Sequence, residues 1–203
     1  MSLRAGDANH IDSFRRLLGN FSRFSQDAVY PYGYGGPNAC FALLMDAYMA
    51  DYGAERADFG RIAVAQRENA LRNPHALMKS PLTLEQYLNA RPISDPIALF
   101  DCVMPCAGAE AFLVMREDRA GGLPAARVLA TMERHNAFPE DPIQLRGGWA
   151  DQAAAFWDRA GVGPSDMDLL QTYDDYPVIS MMQIEDLGFW RRVRRGFSAR
   201  DRT

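Results

Sequence analysis

The feature that most constrains this chain is a change in apolar period near Pro92. Upstream, Phe41, Leu44, Met45, Tyr48, Met49 and Tyr52 recur at three- and four-residue spacing, which predicts a helix with one buried face. Gly53 is its natural stop. A second helix is expected over 55–71, with Phe59, Ile62, Ala63, Gln66 and Ala70 along one side and Asn73-Pro74 beyond its end. Downstream the apolar residues gather into short runs: 97–103 (IALFDCV), 111–115 (AFLVM), 127–132 (RVLATM) and 169–172 (LLQT). Short apolar runs bounded by turn residues predict buried strands. Between and after them, Ala153, Phe156, Trp157 and Ala160 define one face of a helix over 149–160, and Pro177 opens another that reaches Leu187. Helices first, then strands interleaved with helices, predict an α/β fold.

The connecting segments are equally marked. Tyr30–Pro37 (YPYGYGGP) cannot hold regular structure, and it reads either as a pocket-lining loop or as an entry to the helix after it. Residues 1–30 are polar and weakly patterned, with 12–18 the best helical stretch. Thr83, with Gln86 three residues on, predicts a short capped helix near 81–88.

At 203 residues the chain has the length of one domain, or one and a half, at roughly 150 residues per domain. No apolar run approaches the roughly 18 residues needed to span a bilayer, and residues 1–20 lack a signal-peptide core, so a cytoplasmic protein is expected. A net charge of −4 argues against nucleic acid as a partner. Lys79 is the only lysine among 22 basic side chains. Arg191, Arg192, Arg194, Arg195, Arg200 and Arg202 crowd the C-terminal end. This end is either a phosphate- or partner-binding tail or a solvated run, and charge runs are usually solvated. Cys40, Cys102 and Cys106 form an odd set, as in a reducing compartment. The scattered His10, His75 and His135 do not complete a zinc site around the Cys102/Cys106 pair, so the thiols are expected to be small core residues and no metal is expected.

An ordered set of segments carries a resemblance. They are 46–53 (DAYMADYG), 73–88 (NPHALMKSPLTLEQYL), 95–102 (DPIALFDC), 107–111 (AGAEA), 160–168 (AGVGPSDMD), 173–176 (YDDY) and 185–189 (EDLGF). In this order and spacing, from about Tyr30 to Phe189, the chain resembles the thiolase superfamily. It looks most like the sterol-carrier or lipid-transfer-protein branch, whose members include acetyl-CoA acetyltransferases. The resemblance implies an α/β fold of two βαβαβαββ halves with an inserted loop domain. Residues 1–92 would be the helical, loop-domain-like region, and 93–203 part of the α/β core with the Arg-rich end. It also implies that the family's nucleophilic cysteine would lie before Met1, and its catalytic histidine and second cysteine beyond Thr203. Cys40, Cys102 and Cys106 do not match the nucleophile's position.

One active-site motif falls inside the chain. Where thiolases carry Asn-Glu-Ala-Phe or His-Asp-Cys-Phe, this chain has Tyr173, Asp174, Asp175 and Tyr176. The family's first side chain helps hold the thioester oxyanion, and a tyrosine hydroxyl can do the same. It can also shuttle a proton if its pKa is depressed. The substitution resembles the thiolase-like aldolases of steroid side-chain degradation, which cleave β-hydroxyacyl-CoA by retro-aldol chemistry with an OB-fold acyl-CoA-binding partner. The resemblance therefore implies Tyr173 and Asp174 as site residues, Asp174 orienting the turn or capping the next helix. Tyr176 is a further site candidate whose place suits packing. No bound cofactor is expected, the CoA thioester being substrate. A homo-oligomer is a further possible partner arrangement. Two other functions stay open: a thiolytic acyltransferase, and a non-catalytic subunit that binds acyl-CoA or a partner. Two departures from the family bear on the choice. Ala107-Gly108-Ala109 replaces an Asp-Gly-Ala, and the run after Trp190 is arginine-rich where the family tends to Gly-Glu-Gly.

Overall fold

The helical period becomes helix where the sequence predicts it. The computed structural model describes residues 30–33, 36–109, 111–135, 137–141 and 143–192. Helix α1 (Pro37–Tyr52) buries Ala42, Met45 and Tyr48, and Gly53 closes it in the left-handed conformation (φ 65°), its N–H donating to the Met49 carbonyl at 2.8 Å. Helix α2 (Arg56–Leu71) is opened by Asp58, whose carboxylate accepts the Glu55 N–H at 2.9 Å, and it buries Phe59, Gly60 and Ala63. Helix α3 (Leu84–Leu88) carries the expected Thr83/Gln86 box. It lies so close to α2 that a Cβ on Gly60 would stand 2.6 Å from both Leu84 Cδ1 and Tyr87 Cδ1.

A two-stranded antiparallel ribbon follows, β1 (Pro92–Ser94) and β2 (Ile97–Ala98), joined through a cis Asp95–Pro96 peptide and packed on α1. After it come α4 (Ala153–Ala160) and α5 (Pro177–Asp186). Helix α5 lies against both α1 and α2. The core is therefore built from α1, α2, Leu82, Tyr87, Ile97 and the buried face of Tyr176, Val178 and Met182. The predicted face of α4 is its partly buried one, and the Trp157 indole ties it to the end of α5 by donating to the Leu187 carbonyl at 2.9 Å. Residues 149–152 form turns, so that helix starts later than its sequence suggests.

The sheet half of the α/β expectation is corrected. Among the described residues the structure is mostly helical, and its only sheet is the β1–β2 ribbon. At 97–103 the strand ends after Ala98, because the Asp101 carboxylate accepts the Ala98 N–H at 2.7 Å and bends Leu99–Asp101 into a 3₁₀ turn. Residues 111–115, 127–132 and 169–172 carry no ladder. A strand exists only through a neighbour's N–H and C=O groups, and none of the described residues supplies one here. Their side chains are exposed rather than buried, Phe112 at 89%, Val114 at 85% and Leu169 at 75%.

Two polar knots hold the helices. Asp101, 2% exposed, accepts from Tyr87 Oη, the Ala98 N–H and Arg56 Nη1 (2.5 Å), joining α3, the ribbon and α2. Arg192 lies beside Glu185 (2.5 Å) and Asp186 (3.1 Å) and donates to the Leu145 carbonyl at 2.7 Å. Tyr48 on α1 donates to the same Glu185 at 2.6 Å. Arg192 thus departs from the solvated reading of the Arg-rich end. Arg191 is exposed, while Arg194, Arg195, Arg200 and Arg202 lie outside the described residues, as do residues 1–29. The core-thiol expectation also fails for Cys40 and Cys106, which are exposed; Cys102 is half-buried.

Candidate functional site

The YDDY segment enters α5 directly. Asp175 and Tyr176 make the bend, and Pro177, which has no N–H to lose, starts the helix. The alternation of outward and inward side chains divides the motif. Tyr173 is 61% exposed, whereas Tyr176 is 3% exposed. Tyr176 stacks on Phe41 with ring centroids 4.2 Å apart, and its hydroxyl donates to Asn38 Oδ1 at 2.6 Å. Burial pushes its phenol up to about 12. Tyr176 is accordingly a packing residue that anchors the turn to α1, as its place in the motif suggested.

Tyr173 faces out, and its hydroxyl donates to the Asp175 carboxylate. This hydrogen bond, then slight burial and the nearby negative charge of Asp175 and Asp174, raises the phenol above its ordinary value. The direction matters chemically. A depressed pKa would favour tyrosinate and proton abstraction; a raised one keeps the neutral O–H, which is a hydrogen-bond donor.

Asp174 does not cap α5, which has no side-chain cap at all. It reaches α2 instead, where Gln66 Nε2 donates to its Oδ2 at 3.2 Å. The two residues border an open groove of about 360 Å³ between α2 and the segments around residues 77 and 103. Leu77, Met78, Phe100 and Met104 give it apolar walls. Three polar contributors escape the sequence: Asp175, Gln66 and Asn38. Gln66 sits in the predicted apolar stripe of α2, and that position is the one available signal for it. Asn38 precedes the first periodic residue and carries no pattern. Cys102 lies 3.6 Å from Asn38 Oδ1, and burial pushes its thiol up, away from the thiolate a nucleophile requires. Among the described residues no group of three His, Cys, Asp or Glu side chains could hold a metal ion, and no helix is long and apolar enough to cross a membrane.

The family described as "Thiolase C-terminal domain-like" matches residues 130–201. A steroid side-chain-cleaving aldolase of Thermomonospora curvata is 32% identical over 176 residues, 81% of this chain and 44% of that protein. A 17-hydroxy-3-oxo-4-pregnene-20-carboxyl-CoA lyase of Mycobacterium tuberculosis is 30% identical over 170 residues, 79% of this chain and 44% of the relative. An acetyl-CoA acetyltransferase of Methanothermobacter thermautotrophicus and rat sterol carrier protein 2 match at 27% and 23% identity. A solved structure described as "Ltp2-ChsH2(DUF35) aldolase" superposes with a TM-score of 0.69 at 26% identity, covering 85% of this chain and 48% of the other. The chain spans less than half the length of these aldolase and lyase relatives, about 44% of each. It belongs, as a partial match, to the thiolase-like family that includes the steroid side-chain aldolases, the acetyl-CoA acetyltransferases and sterol carrier protein 2.

Proposed function

We propose that this chain forms part of the acyl site of a carbon–carbon lyase, one that cleaves a β-hydroxyacyl-CoA of the steroid side-chain type by retro-aldol chemistry. The observation that carries the reading is a groove bordered by the Asp174 carboxylate, with the outward, neutral phenol of Tyr173 one residue before it in the chain. In a retro-aldol cleavage the β-hydroxyl loses its proton, the β-oxygen becomes a carbonyl and the Cα–Cβ bond breaks. The bonding pair moves into the thioester enolate, which takes up a proton at Cα. The enolate oxygen needs a donor, which Tyr173 supplies by turning its one O–H from Asp175 to the substrate. The β-hydroxyl needs a base; of the two carboxylates lining the groove, Asp101 is taken up by Arg56, Tyr87 and the Ala98 N–H, which leaves Asp174. The apolar walls at Leu77, Met78, Phe100 and Met104 suit a hydrocarbon acyl group. The names of the aldolase and lyase relatives support the same class. The solved structure described as "Ltp2-ChsH2(DUF35) aldolase" supports a DUF35 protein as partner, and an OB-fold acyl-CoA-binding protein is the partner the family resemblance implies.

A thiolytic acyltransferase is the second reading, favoured by the acetyl-CoA acetyltransferase match. Turnover of a β-hydroxyacyl-CoA and thiolysis of a β-ketoacyl-CoA, measured side by side, separate the two. Under the lyase reading Tyr173→Phe lowers retro-aldol kcat by about 10²–10³-fold, the usual cost of one oxyanion donor. Under the thiolytic reading the same variant only weakens thiolysis. Binding of the partner with neither turnover would make the chain a non-catalytic subunit.

A further inference from the structure

Among the described residues no strand lies beside 169–173 to hold the main chain at Tyr173. One side chain does. Gln183, on α5 and 9% exposed, accepts the Tyr173 N–H on Oε1 at 3.0 Å and donates from Nε2 to the Tyr173 carbonyl at 2.7 Å. The second Nε2 proton goes to the Ile179 carbonyl at 3.1 Å. Two carbonyl partners and one N–H partner fix which end of the amide is which. Bonding both the N–H and the C=O of one residue is what an antiparallel neighbour does in a hydrogen-bonded pair. One residue earlier, Thr172 Oγ1 meets Ser180 Oγ at 3.1 Å, and Ser180 is 1% exposed. The inner face of α5 therefore takes the place of a strand along 172–173.

We propose that Gln183 is a positioning residue: its carboxamide stands in for a neighbouring strand, holds the main chain of Tyr173, and so sets where the phenol stands relative to the groove-lining Asp174 that follows it. The inference rests on Tyr173 being the oxyanion donor of the reading above. A buried glutamine that only satisfied itself could bond any nearby backbone groups; this one brackets the residue with the chemistry.

The test uses the full chain with Gln183→Met, which keeps the shape and loses all three bonds, and Gln183→Glu, which keeps only the acceptor. Amide hydrogen exchange is read at Tyr173 and at Met45 in α1 within the same sample, so that any global loss of stability cancels in the ratio. Gln183→Met is expected to raise Tyr173 exchange relative to Met45 at least tenfold, and Gln183→Glu to raise it less. An unchanged ratio in Gln183→Met overturns the proposal. In turnover, Gln183→Met should lower retro-aldol kcat with KM held within twofold, and add nothing to Tyr173→Phe in the double variant. A raised exchange ratio with normal turnover of Tyr173→Phe leaves the clamp standing and removes the lyase reading. An unchanged ratio with an inactive Tyr173→Phe does the reverse.

Discussion

At the scale of single residues, the motif separates by which side of the bend each side chain takes. Tyr176 is buried against Phe41 and Asn38, while Tyr173 faces solvent with its hydroxyl on Asp175. Because that contact raises the Tyr173 phenol, the neutral donor persists as pH climbs and is lost only above the ordinary value of about 10. The alkaline fall in retro-aldol rate is expected above pH 10 in the native chain. Asp175→Asn removes the carboxylate that accepts the phenol proton, so the fall should move down towards about pH 10. A pH–kcat profile of both proteins checks this, and an alkaline limb that does not move would remove Asp175 from the site. The motif position singles out Tyr173 and Asp174 as candidates. Asp175 was visible in the same motif yet carried no signal, since its contact depends on the direction of the bend.

At the scale of elements, the helices were legible and the sheet was not. Period located α1 and α2 because each buries one stripe, Pro177 marked the entry to α5, and Gly53 and Thr83 marked the end of α1 and the start of α3. The apolar runs at 111–115, 127–132 and 169–172 have strand composition, but a strand is a relation between two segments and sequence period reports only one. The contact between α2 and α3 depends equally on a residue without a side chain. Gly60→Ala would drive a methyl into the Leu84 and Tyr87 side chains. The Tyr87 ring has little freedom to move, since its hydroxyl is held by Asp101. The substitution should destabilise the fold by about 1–3 kcal/mol, the usual cost of overpacking, even though alanine is the better helix former. Urea denaturation of the two proteins measures it, and an equal or higher midpoint for the variant would show that α3 can shift.

At the scale of the molecule, the described residues divide into a packed helical part and an extended part with apolar side chains facing water. Phe112, Leu113, Val114, Val128 and Leu169 are all more than half exposed. Contiguous exposed apolar segments with unpaired backbone invite association. On its own the chain is expected to bind hydrophobic dyes and self-associate, and to lose both properties when a partner covers these segments. A monomeric species with one cooperative thermal transition in the isolated chain would contradict this.

The long reach of the core has its own consequence. Tyr48 and Glu185 meet across 137 positions, and Asn38 and Tyr176 across 138, while the described residues of 102–175 include no buried one. The core therefore closes only after α5 has been made, and its assembly carries the loop-closure entropy of a long connection. That entropy grows only logarithmically, so halving the connection would recover only about 0.6 kcal/mol. Its effect on rate is larger, because distant contacts delay the folding transition. During synthesis, α1 to α3 emerge with the faces that α5 later packs on still open, so the timing of translation decides how long that surface stays uncovered.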